Sequence, residues 1–364
     1  MMRRVHHVGT VPVDGPREAI SLQLARTGQA VESVSDGENT DDRANWIVPI
    51  VRRRQAHPEV LVLRADRFDE VPMRLTHAPV CVRRPYRGTQ FREQLRDVMG
   101  LRYAHYALAA YPILESEIRT RTLGVWWRNN RSPRLQVDVP GPFDLAAMTW
   151  GLGALAHMGD EITAAAAEIS EITQALGADN VVFQLSLPVE TYLVTRAGKA
   201  RARVARWCAR WVTRFVMCCP PESRWIVHLC VGDPHGRPLV ELRDVDPLVV
   251  LTSAISNAWP SGRVLDAVHW PLSNGRAPAP SDEEFYAPAT EVDQFLPQSV
   301  HLSAGLAHMD ATLGYQKRCL QLAEDTTGRE LGVSTPCGLG RRPEQVEALM
   351  ARMMQLATGV TVPW

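Results

Sequence analysis

The sequence predicts an α/β protein built as a (β/α)8 TIM barrel, with additional elements inserted after the first strand. Short β-branched, apolar runs recur along the 364-residue chain, and helical patterns separate them. The runs are apolar almost throughout, which is typical of parallel strands covered by crossover helices. A typical barrel needs about 250 residues, so this chain is long enough for one barrel with insertions.

Eight segments are predicted as strands. They are Val5–Thr10, Leu135–Val139, Val181–Ser186, Ile226–Val231, Val249–Ser253, Leu265–His269, Val300–Ala304 and Leu331–Thr335. Helical patterns lie between them, at Leu145–Leu176, Lys199–Met217, Ala311–Ala323 and Pro343–Leu356. Strands joined by helical crossovers pair in parallel, so this order predicts one parallel sheet.

The length in excess of a barrel lies mainly between the first two predicted strands. Gly28–Asn45 is rich in Gly, Asp and Asn, which predicts a long polar loop. Residues Val60–Leu123 are expected to form an extra subregion against the side of the barrel. Since no internal repeat is found, we expect one barrel domain over residues 1–364.

Composition restricts the class of partner. Lys+Arg and Asp+Glu both number 40, so the net charge is zero. A neutral chain lacks the broad positive potential that nucleic acids and anionic membranes attract. The apolar stretches are shorter than the roughly 20 residues that span a bilayer, and no apolar signal segment follows Arg3 and Arg4. We expect a cytoplasmic protein that acts on small molecules, with its oligomeric state open.

One predicted strand carries a pair of metal-type side chains. His228 and Cys230 are two residues apart in RWIVHLCV, so both point to the same face of a strand. Cys337 follows the last predicted strand, where side chains lean over the mouth of a barrel. Zinc favours imidazole and thiolate donors of this kind. The alternative is a hydrogen-bonded core histidine beside buried thiols.

Other chemically active residues follow further strand ends. Asp266 and His269 belong to VLDAVHWP, and His308 and Asp310 belong to VHLSAGLAHMD. Chemistry in TIM barrels lies at the carboxyl ends of the strands, so several imidazoles at that rim favour a shared site. A hydrogen-bonded structural role is the alternative for each of them.

Two turns are candidates for substrate contact. Gly9 and Thr10, in HHVGTVP, can present backbone N–H groups to an anionic substrate group. Pro140–Pro142 forms another Gly/Pro turn directly after a predicted strand. Ordinary loop formation is the alternative for both turns.

Taken in chain order, these motifs resemble the catalytic C-terminal barrel of cobalamin-independent methionine synthase, and more closely its short single-barrel relatives. HHVGTVP resembles the first-strand turn at the amino-acid substrate, and VDVPGP resembles the family's Gly-Pro turn. HLCVGD resembles the metal-binding His-x-Cys strand, VLDAVHWP the strand of the acid–base histidine, and STPCGLGRR the strand of the second metal cysteine. Most of the resemblance lies in Arg224–Arg342.

The resemblance implies a zinc site formed by His228, Cys230 and Cys337. It also implies His269 as the residue that handles the proton, and Asp266, three residues earlier in VLDAVHWP, is expected to assist it.

The resemblance extends to the substrates as well. It implies Gly9 and Thr10 at the acceptor, and Trp150 near the family's folate-stacking tryptophan. His308 and Asp310 are expected to bind substrate at the same rim.

Two departures from the family pattern bear on the site. The glutamate that completes the family's zinc shell has no counterpart in VVLTSAISN, which leaves Glu241 as a substitute or the fourth position to water or substrate. The family's Asp-Glu-Pro motif reads QLSLP here, so Ser186 lies in the motif that should hold the homocysteine amine. We therefore predict a thiol acceptor other than homocysteine, unless Glu190 supplies the missing charge.

The resulting prediction is a zinc-dependent transferase. It moves a methyl or other alkyl group from a small-molecule donor, such as a folate-type compound, to a zinc-bound thiolate. One alternative is a metal-free barrel lyase or decarboxylase that resembles uroporphyrinogen decarboxylase. The other is a non-catalytic relative in which the zinc is structural.

Overall fold

The computed structural model describes residues 2–39, 47–56, 60–61, 81–82, 100–121, 131–232 and 237–359. It confirms the predicted fold class: eight parallel strands form a nearly closed TIM barrel. The strands are β1 Val5–His6, β2 Ser33–Ser35, β3 Arg134–Pro140, β4 Val181–Ser186, β5 Arg224–His228, β6 Val264–Trp270, β7 His301–Gly305 and β8 Gly332–Ser334.

Helices surround this sheet. They are α1 Pro16–Thr27, α2 Val48–Ala56, α3 Tyr103–Arg121, α4 Pro142–Trp150, α5 Ala154–Leu176, α6 Pro188–Arg196, α7 Arg201–Cys218, α8 Asp246–Ala258, α9 Glu283–Tyr286, α10 Val292–Phe295, α11 Leu313–Thr327 and α12 Val346–Thr358. Among the described residues, no helix is long and apolar enough to cross a bilayer.

The strands follow one another around the barrel in chain order, and the first strand pairs with the last. The hydrogen-bonded order is β1-β8-β7-β6-β5-β4-β3-β2, and every pairing is parallel. β1 and β2 form the two ends of this ladder, and the Val5 N–H donates to the Ala30 carbonyl at 3.0 Å between them. All carboxyl ends therefore meet at one mouth.

The prediction of a strand at Val249–Ser253 is wrong, because this segment lies inside α8. Asp246 and Pro247 open the helix, where an acidic side chain and a proline are both favourable. Leu248, Leu251, Thr252 and Ile255 are buried at helical spacing, so the β-branched run packs as one face of a helix.

The barrel strand that the sequence does not predict is β2, which lies within the predicted loop Gly28–Asn45. Its residues are all buried, and the Ser33 hydroxyl donates to Gln136 at 2.8 Å. Serines that bond inside a polar barrel produce no apolar run. Residues 40–45 of that loop lie outside the described residues.

Only part of the predicted subregion Val60–Leu123 is described. Val60–Leu61 pairs antiparallel with Cys81–Val82, and α3 packs against α1 and α5. The predicted helix Leu145–Leu176 is divided into α4 and α5 by a 3-10 turn at Gly151–Gly153.

Candidate metal centre at the barrel mouth

Three potential metal ligands meet at the mouth. His228 ends β5, Cys230 follows it by two residues, and Cys337 lies three residues after β8. Their ligand atoms all lie within 4.8 Å of one another, and the two sulfur atoms are 3.9 Å apart. β5 and β8 are separated by two strands in the sheet, so the curvature of the barrel brings these side chains together across the mouth.

His228 has one ring nitrogen free for a ligand. Its Nδ1 lies 2.6 Å from Nδ1 of His269, whereas its Nε2 is buried and has no hydrogen-bond partner among the described residues. Buried polar atoms are normally hydrogen-bonded, so a nitrogen without a partner here marks a position for a ligand.

The sulfur of Cys230 accepts a backbone hydrogen bond that fixes its position. The backbone N–H of Gly232 donates to Sγ at 3.2 Å. Gly232 has φ 64, and a Cβ there would lie 2.5 Å from the Leu239 side chain, so the turn requires glycine. One imidazole and two thiols are a donor set that fits zinc.

His269 lies behind His228, where the sequence predicts an acid–base residue. It is fully buried, and its Nε2 lies 3.1 Å from the Thr335 carbonyl. Burial, together with the neighbouring imidazoles of His228 and His6, lowers the pKa of His269 well below its ordinary value. Both ring nitrogens therefore have protein partners, and the ring is neutral.

Asp266 lies at the opposite end of the barrel, which corrects its predicted place beside His269. It accepts hydrogen bonds from Arg224, with 2.9 Å between Arg224 Nε and Asp266 Oδ2. Arg224 begins β5 and Asp266 lies near the start of β6, so this ion pair joins the amino ends of these two strands. The sequence places both residues on the correct strands, but it does not show that Asp266 lies toward the amino end of β6, with four residues of the strand after it.

Gly9 lies beside two carboxylates that the sequence analysis does not single out. It has φ 107, and a Cβ there would lie 3.2 Å from Glu38 Oε2 and 3.8 Å from Asp138 Oδ2. Glu38 also adopts a positive φ of 47, which is uncommon outside glycine and typical of functional loops. Thr10 packs on the turn after Cys337, since its carbonyl accepts from the Gly340 N–H at 3.1 Å.

Asp138 is held in the wall of the mouth by two neutral donors. The hydroxyl of Ser186 and the amide of Gln184 both donate to its Oδ1, at 2.6 and 3.1 Å. Burial raises the pKa of Asp138, and the bond from Ser186 and the charge of His228 oppose that shift. The sequence feature that could have identified Asp138 is its position in VDVPGP, two residues before the turn that ends β3.

Glu190, which the sequence predicts at the substrate, lies beside another carboxyl group. A Cβ on Gly141 would lie 2.6 Å from Asp144 Oδ2 and 2.9 Å from Glu190 Oε1, so the two side chains meet behind this turn. Burial raises the pKa of Glu190 to about 7. Burial and the charge of Glu190 raise the pKa of Asp144 further, so the pair keeps a shared proton.

Trp150 contributes to the packing of the helices. Its Nε1 donates to Glu161 at 2.8 Å, and its ring stacks on His157 with 4.0 Å between centroids. Glu161 is also the buried partner of Arg54 at 2.9 Å. The indole therefore belongs to a cluster between helices, which gives no support to the predicted folate stacking.

The remaining predicted residues lie in loops. His308 accepts from the Asp310 backbone N–H at 3.2 Å and contacts the Asn274 carbonyl at 3.1 Å, which fixes the loop after β7. The Asp310 side chain is 70% exposed. Glu241 is exposed and does not belong to the ligand group, so among the described residues the group consists of three side chains.

Comparison with known proteins supports the fold at low sequence identity. No family model matches the sequence, and no curated protein matches it. The chain is similar to a B12-independent methionine synthase from Shewanella sp. W3-18-1 in complex with selenomethionine, at 12% identity and a TM-score of 0.58, over 99% of this chain and 97% of that one. It is also similar to a Listeria monocytogenes protein described as a candidate vitamin-B12-independent methionine synthase, at 12% identity and a TM-score of 0.50, over 100% of both chains.

Proposed function

We propose that the protein is a zinc-dependent transferase that moves a methyl or other alkyl group from a small-molecule donor to a thiol. The observation that carries the proposal is the meeting of His228, Cys230 and Cys337 at the mouth, with a buried His228 nitrogen that has no hydrogen-bond partner in the part of the chain that the structure describes. The methionine synthase-like neighbours have a fold that supports methyl transfer or a related reaction.

The three side chains would hold the ion and leave the fourth tetrahedral position to the acceptor. Catalytic zinc sites characteristically combine three protein ligands with one open position, whereas structural sites have four protein ligands. When bound, zinc acts as a Lewis acid that lowers the pKa of a coordinated thiol from its free value of about 8.5. The Gly232 N–H orients the Cys230 sulfur.

Asp138 changes the expectation for the acceptor. Homocysteine is disfavoured in the sequence analysis because the family's aspartate is missing from QLSLP. Asp138 supplies a carboxylate from the neighbouring strand, hydrogen-bonded to Ser186 of that motif. Its Oδ2 faces Gly9, so we include thiols that carry an ammonium group, homocysteine among them, in the proposal.

The donor is proposed only as a small molecule with a transferable alkyl group. A folate-type compound stays within the proposal, although Trp150 is buried and its Nε1 donates to Glu161.

Metal analysis combined with a thiol-and-donor screen tests the proposal. We expect about one zinc per purified chain, and alkylated thiol detected by mass spectrometry only when zinc, thiol and donor are all present. Cys337→Ser should remove most of the zinc and the product, because a hydroxyl is a poorer zinc donor than a thiolate.

Cys218→Ser is the matched control, since Cys218 is exposed on α7 and the same atom is exchanged. Turnover that persists after complete zinc removal would contradict the proposal and favour the metal-free lyase. Stoichiometric zinc without thiol-dependent turnover with any donor would favour the structural role.

A further inference from the structure

We infer that His269 is a positioning residue that fixes the tautomer of His228, so that His228 Nε2 presents its lone pair to the metal. The inference rests on the proposed metal site, but it concerns a residue that the sequence analysis assigns to acid–base catalysis. It follows from two contacts of His269 and from one atom of His228 that has no partner.

The first contact places a hydrogen on His269 Nε2. This atom lies 3.1 Å from the carbonyl oxygen of Thr335, and a carbonyl can only accept. His269 Nε2 therefore donates.

The second contact requires one hydrogen between the two rings. The Nδ1 atoms of His228 and His269 are 2.6 Å apart, so one must donate and the other must accept. If His269 were the donor it would be a fully buried cation, and His228 would carry its hydrogen on Nε2, a buried donor without a partner. Both consequences are costly.

The remaining arrangement satisfies every ring nitrogen except one. His228 Nδ1 donates to His269 Nδ1, and His269 Nε2 donates to Thr335. The lone pair of His228 then lies on Nε2, the nitrogen with no hydrogen-bond partner among the described residues. Histidines that bind metals commonly donate their other N–H to an acceptor, and that acceptor fixes the ring and its tautomer.

The surrounding backbone is built to hold His269 in this place. A Cβ on Gly305 would lie 2.7 Å from His269 Nε2 and 2.9 Å from the Pro336 Cα, so only glycine leaves room for the ring. Thr335 lies two residues before Cys337, and the same segment thus supplies both the acceptor for His269 and the third ligand. His269 therefore connects the imidazole ligand to the strand end that carries the thiol.

The test compares two replacements of His269 in the full chain. His269→Phe keeps a ring of similar volume but removes both the acceptor and the donor. His269→Gln has an oxygen that can accept from His228 and an amide that can donate to Thr335. We expect zinc affinity, measured by competition with a chromogenic chelator, to fall about 10–100-fold in the phenylalanine variant and to recover partly with glutamine.

Nitrogen-15 NMR of the histidines gives a readout that does not depend on activity. In the metal-free protein we expect His228 to carry its hydrogen on Nδ1, and we expect His269→Phe to lose this single tautomer while its circular dichroism stays native. His157→Phe is the matched control, because it exchanges the same side chains outside the mouth and should change neither measurement.

Unchanged zinc affinity and an unchanged His228 tautomer in His269→Phe would overturn the inference. A His228 that carries its hydrogen on Nε2 in the unaltered protein would overturn it as well. The proposed function would survive both results, and it would fail on a different one, the absence of zinc from the unaltered protein.

Discussion

The two ends of the barrel use charged and polar groups in opposite ways. At the amino ends of the strands, the charged groups pair with each other: Arg224 bonds Asp266, and Arg4 bonds Glu32 at 2.7 Å. At the mouth, the groups are imidazoles, thiols and the carboxylates of Glu38 and Asp138, and Asp138 is held by neutral donors. At the amino ends of the strands, the ion pairs satisfy the charged groups within the protein. At the mouth, some potential ligand atoms stay available. The comparison indicates which end can do chemistry.

The largest expected effect is at the mouth. Cys230→Ser should lower zinc affinity by more than about a hundredfold, the upper range for residues that only support a ligand, because it removes a ligand itself. Metal content after dialysis against a chelator measures it, with Cys218→Ser as the control. Retention of stoichiometric zinc by Cys230→Ser would show that Cys230 is not a ligand and would contradict the proposed difference between the two ends of the barrel.

Asp138→Asn should weaken ammonium-bearing thiols selectively. An ammonium group that loses its charge partner in a partly dry pocket costs several kcal/mol, on the order of a hundredfold in affinity. Calorimetry on the zinc-loaded protein would compare homocysteine with the analogue in which hydrogen replaces the amine. Equal weakening of both thiols would exclude Asp138 as the partner of the amine.

Glu190→Gln should change the pH dependence of stability. The pKa of Glu190 in the folded protein is about 7, above its ordinary value of 4.5. Its contribution to stability is therefore fully present below about pH 4.5 and is lost as the pH rises through 7. From pH 5 to 8 the free energy of unfolding should fall by up to about 3 kcal/mol more in the unaltered protein than in Glu190→Gln, as urea titrations can measure.

Asp144 on α4 is the carboxyl group that faces Glu190, and the Cys208 thiol on α7 lies near both. Asp144→Asn, which exchanges the other member of the pair, should flatten the same pH profile. Parallel profiles for the unaltered protein and both variants would show that the pair does not hold its proton.

The smallest expected effect is at the amino ends of the strands. Asp266→Asn breaks a partly exposed ion pair with Arg224, so it should cost roughly 0.5–1 kcal/mol of stability and leave thiol alkylation unchanged. Thermal unfolding and turnover of the same preparation measure both. A large loss of turnover at native stability would restore the catalytic role that the sequence assigns to Asp266.

The fold is predicted well where packing is apolar and less well where the interior is polar. β4 is predicted residue for residue as Val181–Ser186, because both its faces are buried. β2 is not predicted, because Ser33 bonds Gln136 instead of packing against aliphatic side chains. Val249–Ser253 is wrongly predicted as a strand, because β-branched residues also fill a buried helix face. The residues that indicate a helix lie before this segment, at Asp246 and Pro247.

The site is predictable where local spacing determines geometry. His228 and Cys230 share a face because they are two residues apart, and Cys337 follows a strand end. The partners of His269 and Asp138 depend on the register between strands, which a single sequence does not specify. Register pairs His228 with His269 and brings Asp138 opposite Gln184.

Pairing of the first strand with the last has a consequence for the order of assembly. Val5 pairs with Val333, so barrel closure joins segments more than 300 residues apart and requires a long loop to be closed. Cys337 lies four residues beyond that pairing, so this ligand reaches the mouth only when the final strand docks. During synthesis on the ribosome, β5 can present His228 and Cys230 early. The proposed ligand cluster is therefore complete only after β8 has docked on β7, so under the proposed function metal binding is a late step of folding.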